Sequence, residues 1–172
     1  MPDLADLNHA AAQELRPRLL ALTAAPQWAD ALVAARPYAD LDALLDASDE
    51  VVASLGEAQV DAALAGHPRI GESGQGLDRE SAARSAAEQS GMAAADTVTL
   101  DAMARGNAAY EARFGRIYLV AAAGRTAADL LAFLLERLDT DPATETDVVR
   151  GELAMITRRR LGDEVGEPEA AS

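Results

Sequence analysis

The composition of this 172-residue sequence predicts an all-α protein. Hydrophobic residues make up 49% of the chain but aromatic residues only 3%, so alanine and leucine must fill the interior. Alanine is the strongest helix former, and leucine is close behind it. We therefore expect a single-domain bundle of about eight helices over residues 1–172, with its core at about residues 7–161 and a frayed acidic tail at residues 164–172.

In the N-terminal half, polar caps, prolines and glycines mark where the helices begin and end. Asn8 is a candidate N-cap for the first short helix, and Pro17 suits the first turn of the second. Pro37 and Gly56 end the third and fourth helices, and the fourth repeats leucine and valine at near-helical spacing. The predicted helices cover residues 9–15, 16–22, 25–35, 41–55 and 57–65.

In the C-terminal half, two close glycines make residues 72–77 a loop. Gly115 breaks a long helix, Thr126 caps the next, and Pro142 opens the last. The run IYLVAAA at residues 117–123 is the most β-like part of the chain, and its periodicity does not decide between an extended segment and an irregular buried stretch. The predicted helices cover residues 78–92, 95–114, 127–138 and 142–161.

The composition also excludes several classes of function. A formal net charge of −14 repels phosphate backbones, so we expect no nucleic-acid partner. The chain has no cysteine, which excludes a thiolate nucleophile, a disulfide and a cysteine metal site. All 15 basic residues are arginine, so there is no lysine for a Schiff base or for pyridoxal phosphate.

The chain is expected to be soluble and cytoplasmic. Its N-terminus carries Asp3 and Asp6 and lacks the apolar core of a signal peptide. No apolar run approaches the length that crosses a bilayer, so we expect no membrane association.

The segment GHPRIGE at residues 66–72 is the strongest candidate for chemistry. Pro68 pushes His67 towards extended backbone, and Gly66 suits a helix C-cap, so the imidazole should leave a helix end on a short, stiff turn. A lone histidine is more often a cap than a catalyst. The charged Arg69 that follows is not typical of a buried core, which favours a functional role.

The segment SAAEQSGM at residues 85–92 supplies a candidate partner for the histidine. Ser85 and Glu88 share one face of a helix, and such a face is usually a solvated surface. If Glu88 faces His67, its charge raises the pKa of the imidazole towards or above neutrality. The two side chains would then form a general acid/base pair.

Two further groups of polar residues lie in the C-terminal half. In NAAYEARFG, we assign Tyr110 and Phe114 to the core and expect Asn107 to orient the histidine turn. Three arginines at positions 158–160 end the last helix, where cations compensate the helix dipole. One of the three, turned inward, could pair with a substrate carboxylate.

Taken in order, these motifs resemble one known family. The chain is similar to 2-oxo-4-hydroxy-4-carboxy-5-ureidoimidazoline (OHCU) decarboxylases over about residues 7–161. The combination is specific, whereas any single motif would be weak. The matching pieces are ARPY at residues 35–38, GHPRIGE at 66–72, SAAEQSGM at 85–92, NAAYEARFG at 107–115 and I-x-x-x-R-L at 156–161.

The resemblance implies a cofactor-free all-α decarboxylase, usually a homodimer, that makes (S)-allantoin from OHCU in urate degradation. His67 matches the catalytic histidine and Glu88 the group that assists it, with no metal. Arg159 stands where the family commonly has leucine, so the arginine that faces the pocket is left open. The substrate-binding residues implied are Pro68, Ser85, Glu88, Gln89, Tyr118, Leu119, Val120, Ala121, Ala122 and Arg160.

Two other classes of function compete with this interpretation. A non-catalytic acidic helical module would bind a basic partner, but such a module has no need of His67, Glu88 and Gln89 together. A metal-dependent hydrolase would have to use both histidines, His9 and His67. The apolar stripes exceed what one small helical domain needs to bury, which favours a homodimer.

Overall fold

In the computed structural model, residues 3–65, 67–72 and 79–166 are described, and all regular structure among them is helical. The predicted all-α class is therefore confirmed. A short 3₁₀ helix, Ser90–Met92, follows α6. The α-helices are α1 Leu4–His9, α2 Ala12–Leu22, α3 Pro26–Ala34, α4 Leu41–Ser54, α5 Glu57–Leu64, α6 Arg79–Glu88, α7 Thr97–Phe114, α8 Ala127–Arg137 and α9 Pro142–Val165.

The prediction for the first two helices is wrong in its bounds. Asp3, not Asn8, caps α1, because the Asp3 carboxylate accepts the N–H of Asp6 at 2.8 Å. Asn8 lies inside α1 and bonds the backbone of Tyr38 instead. α2 continues through Pro17. The apolar stripe on both sides of this proline is buried, and that packing outweighs the missing N–H.

The ARPY motif at residues 35–38 connects α1 and α3 through hydrogen bonds. The guanidinium of Arg36 donates to the carbonyls of Leu7 at 2.9 Å and Ala10 at 2.7 Å, closing off the end of α1. The hydroxyl of Tyr38 donates to the carbonyl of Leu32 at 2.9 Å. This part of the family resemblance therefore has a structural basis.

Two apolar clusters form the core. The first is built by α1–α5 together with α9, around the fully buried Trp28, whose indole N–H donates to Ser48 at 2.9 Å. The second lies between α7 and α8 and includes Met103, Tyr110 and Leu134, with Tyr110 in the core as predicted. Long α9 contacts α2, α4 and α5.

Residues 117–123 run between the two clusters as an extended segment, with no paired strand among the described residues. Leu119 and Ala121 pack on the first cluster, whereas Tyr118, Val120 and Ala122 pack on the second. This alternation is what extended backbone produces, because successive side chains point to opposite sides. The β-like composition of IYLVAAA thus reflects a segment buried on both sides.

Two other predicted boundaries differ from the structure. The frayed tail does not begin at residue 164, because α9 continues to Val165, whose side chain is buried in the first cluster. The helix predicted over residues 78–92 ends at Glu88 and gives way to the 3₁₀ helix. Gly66, residues 167–172 and most of the predicted loop at 72–77 lie outside the described residues.

Gly91 explains why the 3₁₀ helix, Ser90–Met92, can lie so close to a neighbouring segment. A Cβ atom at this position would collide with the backbone carbonyl oxygen of Arg125. The 3₁₀ helix therefore packs directly against the segment that follows residues 117–123, and only glycine allows this approach.

We expect Gly91→Ala to lower the free energy of unfolding by about 1–3 kcal/mol, because the backbone at Arg125 must move to make room. Gly151→Ala in α9 is the matched control, since a Cβ there meets nothing within 4 Å. That control should raise stability by up to about 1 kcal/mol through helix propensity. Urea denaturation measures both variants, and equal effects would show that the close approach at Gly91 is unimportant.

Candidate active site

The turn at residues 67–72 is held by hydrogen bonds to its backbone. The N–H of His67 still donates to the carbonyl of Leu64 at the end of α5, at 3.0 Å. Asn107 donates through Nδ2 to the carbonyl of Ile70 at 3.0 Å, in agreement with its predicted orienting role. Gln89 accepts the N–H of Gly71 through Oε1 at 2.9 Å. Two amide side chains from α7 and the end of α6 thus fix the turn that carries the imidazole.

A cavity of about 40 Å³ opens beside His67, small enough to restrict a ligand to a small molecule. It lies between this turn, α6, α9 and the extended segment. Ten of the predicted site residues line it: His67, Pro68, Ser85, Glu88, Gln89, Tyr118, Leu119, Val120, Ala121 and Ala122. The others in the wall are Ile70, Ala123, Met155, Ile156 and Arg159. Of these, the sequence analysis considers only Arg159, as one of three arginines of which one could face the pocket.

Glu88 is fixed by Arg160 and not by the histidine. The guanidinium of Arg160 donates through Nε and Nη2 to the two carboxylate oxygens of Glu88, each at 2.7 Å. Arg160 is buried and also donates to the carbonyl of Leu22 at 2.9 Å. Planar two-point pairing of this kind is strong and directional. Arg160 is therefore tied to the cavity through Glu88 and does not line it.

The predicted effect of Glu88 on the histidine is wrong. Burial, and to a smaller extent the positive charge of Arg160, together lower the pKa of His67 to about 3. The ring is surrounded by protein although part of its surface stays open. A buried site disfavours the imidazolium, and the carboxylate that was expected to stabilise it is neutralised by Arg160. His67 is thus a neutral imidazole near pH 7.

The extended segment that forms one cavity wall is secured by two buried charged side chains. Arg137 donates to the carbonyl of Leu119 at 2.6 Å, and Glu152 accepts the N–H of Ala121 at 2.7 Å. Their charges are balanced by Glu145 and Arg125 respectively. Sequence reasoning missed Glu152. Glu152 could have been found because its carboxylate lies on the same face of α9 as Val149 and Ile156, where apolar residues are expected.

The three arginines that end the predicted last helix have different surroundings. Arg158 pairs with Asp46 at 3.0 Å and with Asp49 at 2.6 Å, both on α4. Arg160 pairs with Glu88, and Arg159 lies in the cavity wall.

His9 does not share the cavity with His67. It is exposed at the end of α1, where its Nδ1 bonds the carbonyl of Ala5 at 2.7 Å, and it lines a separate groove. Across residues 3–65, 67–72 and 79–166, no group of three or more histidines and carboxylates is placed to hold a metal ion. The two-histidine metal site considered from the sequence is therefore wrong in its geometry. None of the described helices is both long enough and apolar enough to cross a membrane.

The fold and the cavity define a helical protein with a small, enclosed site beside a neutral histidine. The family model described as OHCU decarboxylase matches residues 8–162, and the chain belongs to the OHCU decarboxylase family. This confirms the predicted family and its enzyme class, the decarboxylating lyases.

The chain is also similar to individual proteins, one by sequence and two by structure. The uric acid degradation bifunctional protein TTL of Arabidopsis thaliana is 34% identical over 101 residues, which is 58% of this chain and 31% of that protein. This chain thus spans about a third of that curated relative. A crystal structure of OHCU decarboxylase in the presence of (S)-allantoin matches with a TM-score of 0.73 at 21% identity, covering 86% of this chain and 96% of that one. A crystal structure of (S)-allantoin synthase has a TM-score of 0.68 at 19% identity, covering 92% and 52%. These two establish the shared fold.

The low pKa of His67 makes acid stability a test of its surroundings. In the unfolded chain this histidine titrates near 6.5, but in the folded chain only near 3. Between these values the unfolded state binds more protons, so the folded state loses stability as pH falls from about 6.5 towards 3. Above pH 6.5 the group contributes no pH dependence.

We therefore expect His67→Asn to make stability less dependent on acid. Between pH 6.5 and 4, the free energy of unfolding of the wild type should fall relative to this variant by up to about 1.4 kcal/mol per pH unit. His9→Asn removes the other, exposed histidine and should follow the wild type. Chemical denaturation across this pH range gives the comparison, and parallel curves for wild type and His67→Asn would contradict a neutral buried imidazole.

Proposed function

We propose that this chain decarboxylates OHCU to (S)-allantoin in urate degradation. The observation that supports it best is the arrangement around one small cavity: neutral His67, the paired carboxylate of Glu88, and the backbone of residues 118–122. Family membership supplies the reaction class, and the named functions of its relatives suggest the substrate.

The substrate's own structure removes the need for a cofactor. Its carboxylate is attached to C4, next to the C5=N double bond of the ring. When the C4–carboxylate bond breaks, its electron pair forms a C4=C5 double bond and the C5=N electrons move to nitrogen, which takes up a proton. The resulting enol loses its hydroxyl proton as C5 gains one, which leaves a C4 carbonyl and one stereocentre. One proton is consumed overall for each CO₂ released.

In this proposal His67 handles the hydroxyl proton. A neutral imidazole can accept a hydrogen bond from the C4 hydroxyl and take its proton when the enol collapses to the carbonyl. The turn fixed by Asn107 and Gln89 holds the ring on one side of the cavity, so protonation at C5 is restricted to one face. This geometry would account for a single product enantiomer.

Glu88 assists through the ligand and through Arg160, not by charging the histidine. Its carboxylate lines the cavity and can accept N–H groups of the ureido substituent, while Arg160 holds it in position. Backbone groups of residues 118–122 and the side chains of Ser85 and Gln89 complete the contacts we propose for the ring and urea oxygens.

The direct test is a chiral assay with freshly generated OHCU. His67→Asn should reduce the enzymatic formation of (S)-allantoin by at least about 100-fold, since acid–base groups typically contribute a factor of 10² to 10⁴. His9→Asn, the matched control, should keep the wild-type rate because it lies in a separate groove. A His67→Asn variant that works at the wild-type rate would rule out the proposed role.

A double replacement separates the structural role of the Glu88–Arg160 pair from its function. Arg160→Met alone leaves a half-buried carboxylate uncompensated and should lower the free energy of unfolding by about 3–5 kcal/mol. Adding Glu88→Met should restore most of that loss, because an apolar pair can replace a buried ion pair. Activity, in contrast, should stay low. Recovery of both stability and activity in the double variant would show that the pair is only structural.

A homodimer and a cytoplasmic location are also part of the proposal. Large apolar side chains are exposed on two helices that pack together: Val98 on α7 is 75% exposed and Leu135 on α8 is 53% exposed. Burying these side chains against a second copy of the chain would favour association. Sedimentation at micromolar concentration should show a dimer, and a monomer would overturn this part.

A further inference from the structure

Arg159 differs from its two arginine neighbours in the partners it has. Arg158 and Arg160 each bond carboxylates on other helices at 3.0 Å or less. Among the described residues, the ion pair of Arg159 is with Asp163, one turn along α9, at 3.8 Å, where the two side chains are 52% and 77% exposed. An exposed pair at that distance contributes little. The guanidinium of Arg159 is therefore available to a ligand.

Apart from the phenol of Tyr118, the ionisable side chains of the cavity wall are His67, Glu88 and Arg159. Glu88 has its charge balanced by Arg160 through two hydrogen bonds, and His67 is neutral. Among these side chains in the described part of the chain, Arg159 is thus the one whose charge is only weakly balanced, by Asp163 at 3.8 Å, so it is a local positive charge in a protein of net charge −14. A local positive charge in a narrow opening attracts small anions.

We propose that Arg159 captures the carboxylate of the substrate at the mouth of the cavity and lets the enzyme distinguish the anionic substrate from the neutral product. The proposal depends on the proposed function for the identity of the substrate. The proposal rests on the position of Arg159 in the cavity wall and on the pairing of Glu88 with Arg160.

This assignment has a consequence for turnover. Loss of CO₂ removes the negative charge, and with it the attraction to Arg159, so the product is held less tightly than the substrate. Because Arg159 is half exposed, its attraction is modest and acts mainly on binding. Replacing it should therefore raise KM without lowering kcat, because the attraction is present in the bound substrate and fades as CO₂ departs.

The test uses an anionic probe and a neutral probe with the same ring, hydantoin-5-acetate and its methyl ester. Their affinities are measured by calorimetry for wild type, Arg159→Gln and Arg158→Gln, at low salt and at about 0.5 M salt. Arg158→Gln is the matched control, since it removes the same charge one residue away on the side facing α4. Arg159→Gln should weaken the acid by about threefold to fivefold and the ester by less than about twofold. High salt should reduce the preference of the wild type for the acid.

The second measurement is steady-state kinetics with OHCU. Arg159→Gln should raise KM by about the same factor as it weakens the acid probe, whereas Arg158→Gln should leave KM unchanged. Equal weakening of acid and ester, an equal effect of Arg158→Gln, or a wild type that binds the acid no better than the ester would each overturn the assignment. Failure of the proposed function gives a different result. A wild type that releases no CO₂ from OHCU refutes the function, while the two probes still decide whether Arg159 binds the anion.

Discussion

The extended segment at residues 117–123 imposes the constraint on which the rest of the structure depends. An extended chain inside a helical protein has no neighbouring strand to take up its N–H and C=O groups, and leaving them unpaired is costly. The chain meets this need with two buried charged side chains, Arg137 and Glu152, which bond the carbonyl of Leu119 and the N–H of Ala121. A buried charge itself requires a counter-charge, which is the buried Glu145 for Arg137 and the partly exposed Arg125 for Glu152.

This arrangement also explains where the cavity lies. The side chains of the extended segment alternate between the two apolar clusters, so the segment is the boundary between them. The cavity opens along that boundary, opposite the turn that carries His67. One wall is held by charged groups buried in the core, and the other by the amides of Asn107 and Gln89. The two walls that are not helical are therefore each held in place by side-chain hydrogen bonds, between the helical walls formed by α6 and α9.

The sequence predicted most helices well, because helices follow from local patterns, whereas the residues of the cavity wall were implied by the resemblance to a known family. The sequence did not predict contacts between residues that are far apart along the chain. The partner of Glu88 is Arg160, 72 positions away, and no local spacing indicates that this arginine neutralises the carboxylate expected to charge His67. In the sequence, Arg69 favours a functional role for the histidine turn. In the structure, Arg69 pairs with Glu111 on the outside of the protein and does not line the cavity, so it is no evidence for that role. At Pro17, tertiary packing outweighed a local helix-breaking signal.

A neutral histidine suits a decarboxylation better than the charged one that a facing, unpaired carboxylate would favour. An imidazolium beside the reacting carboxylate would bind the ground state most strongly, and that interaction would be lost as CO₂ departs, which raises the barrier. With Arg160 occupied by Glu88, the described part of the chain places no other strong cation deep in the wall to do this. The positive charge that remains, on Arg159, is exposed enough for water to weaken it. Attraction of the anion and loss of its charge can then occur in one cavity, because the charge that attracts the carboxylate is too weak to hold it back.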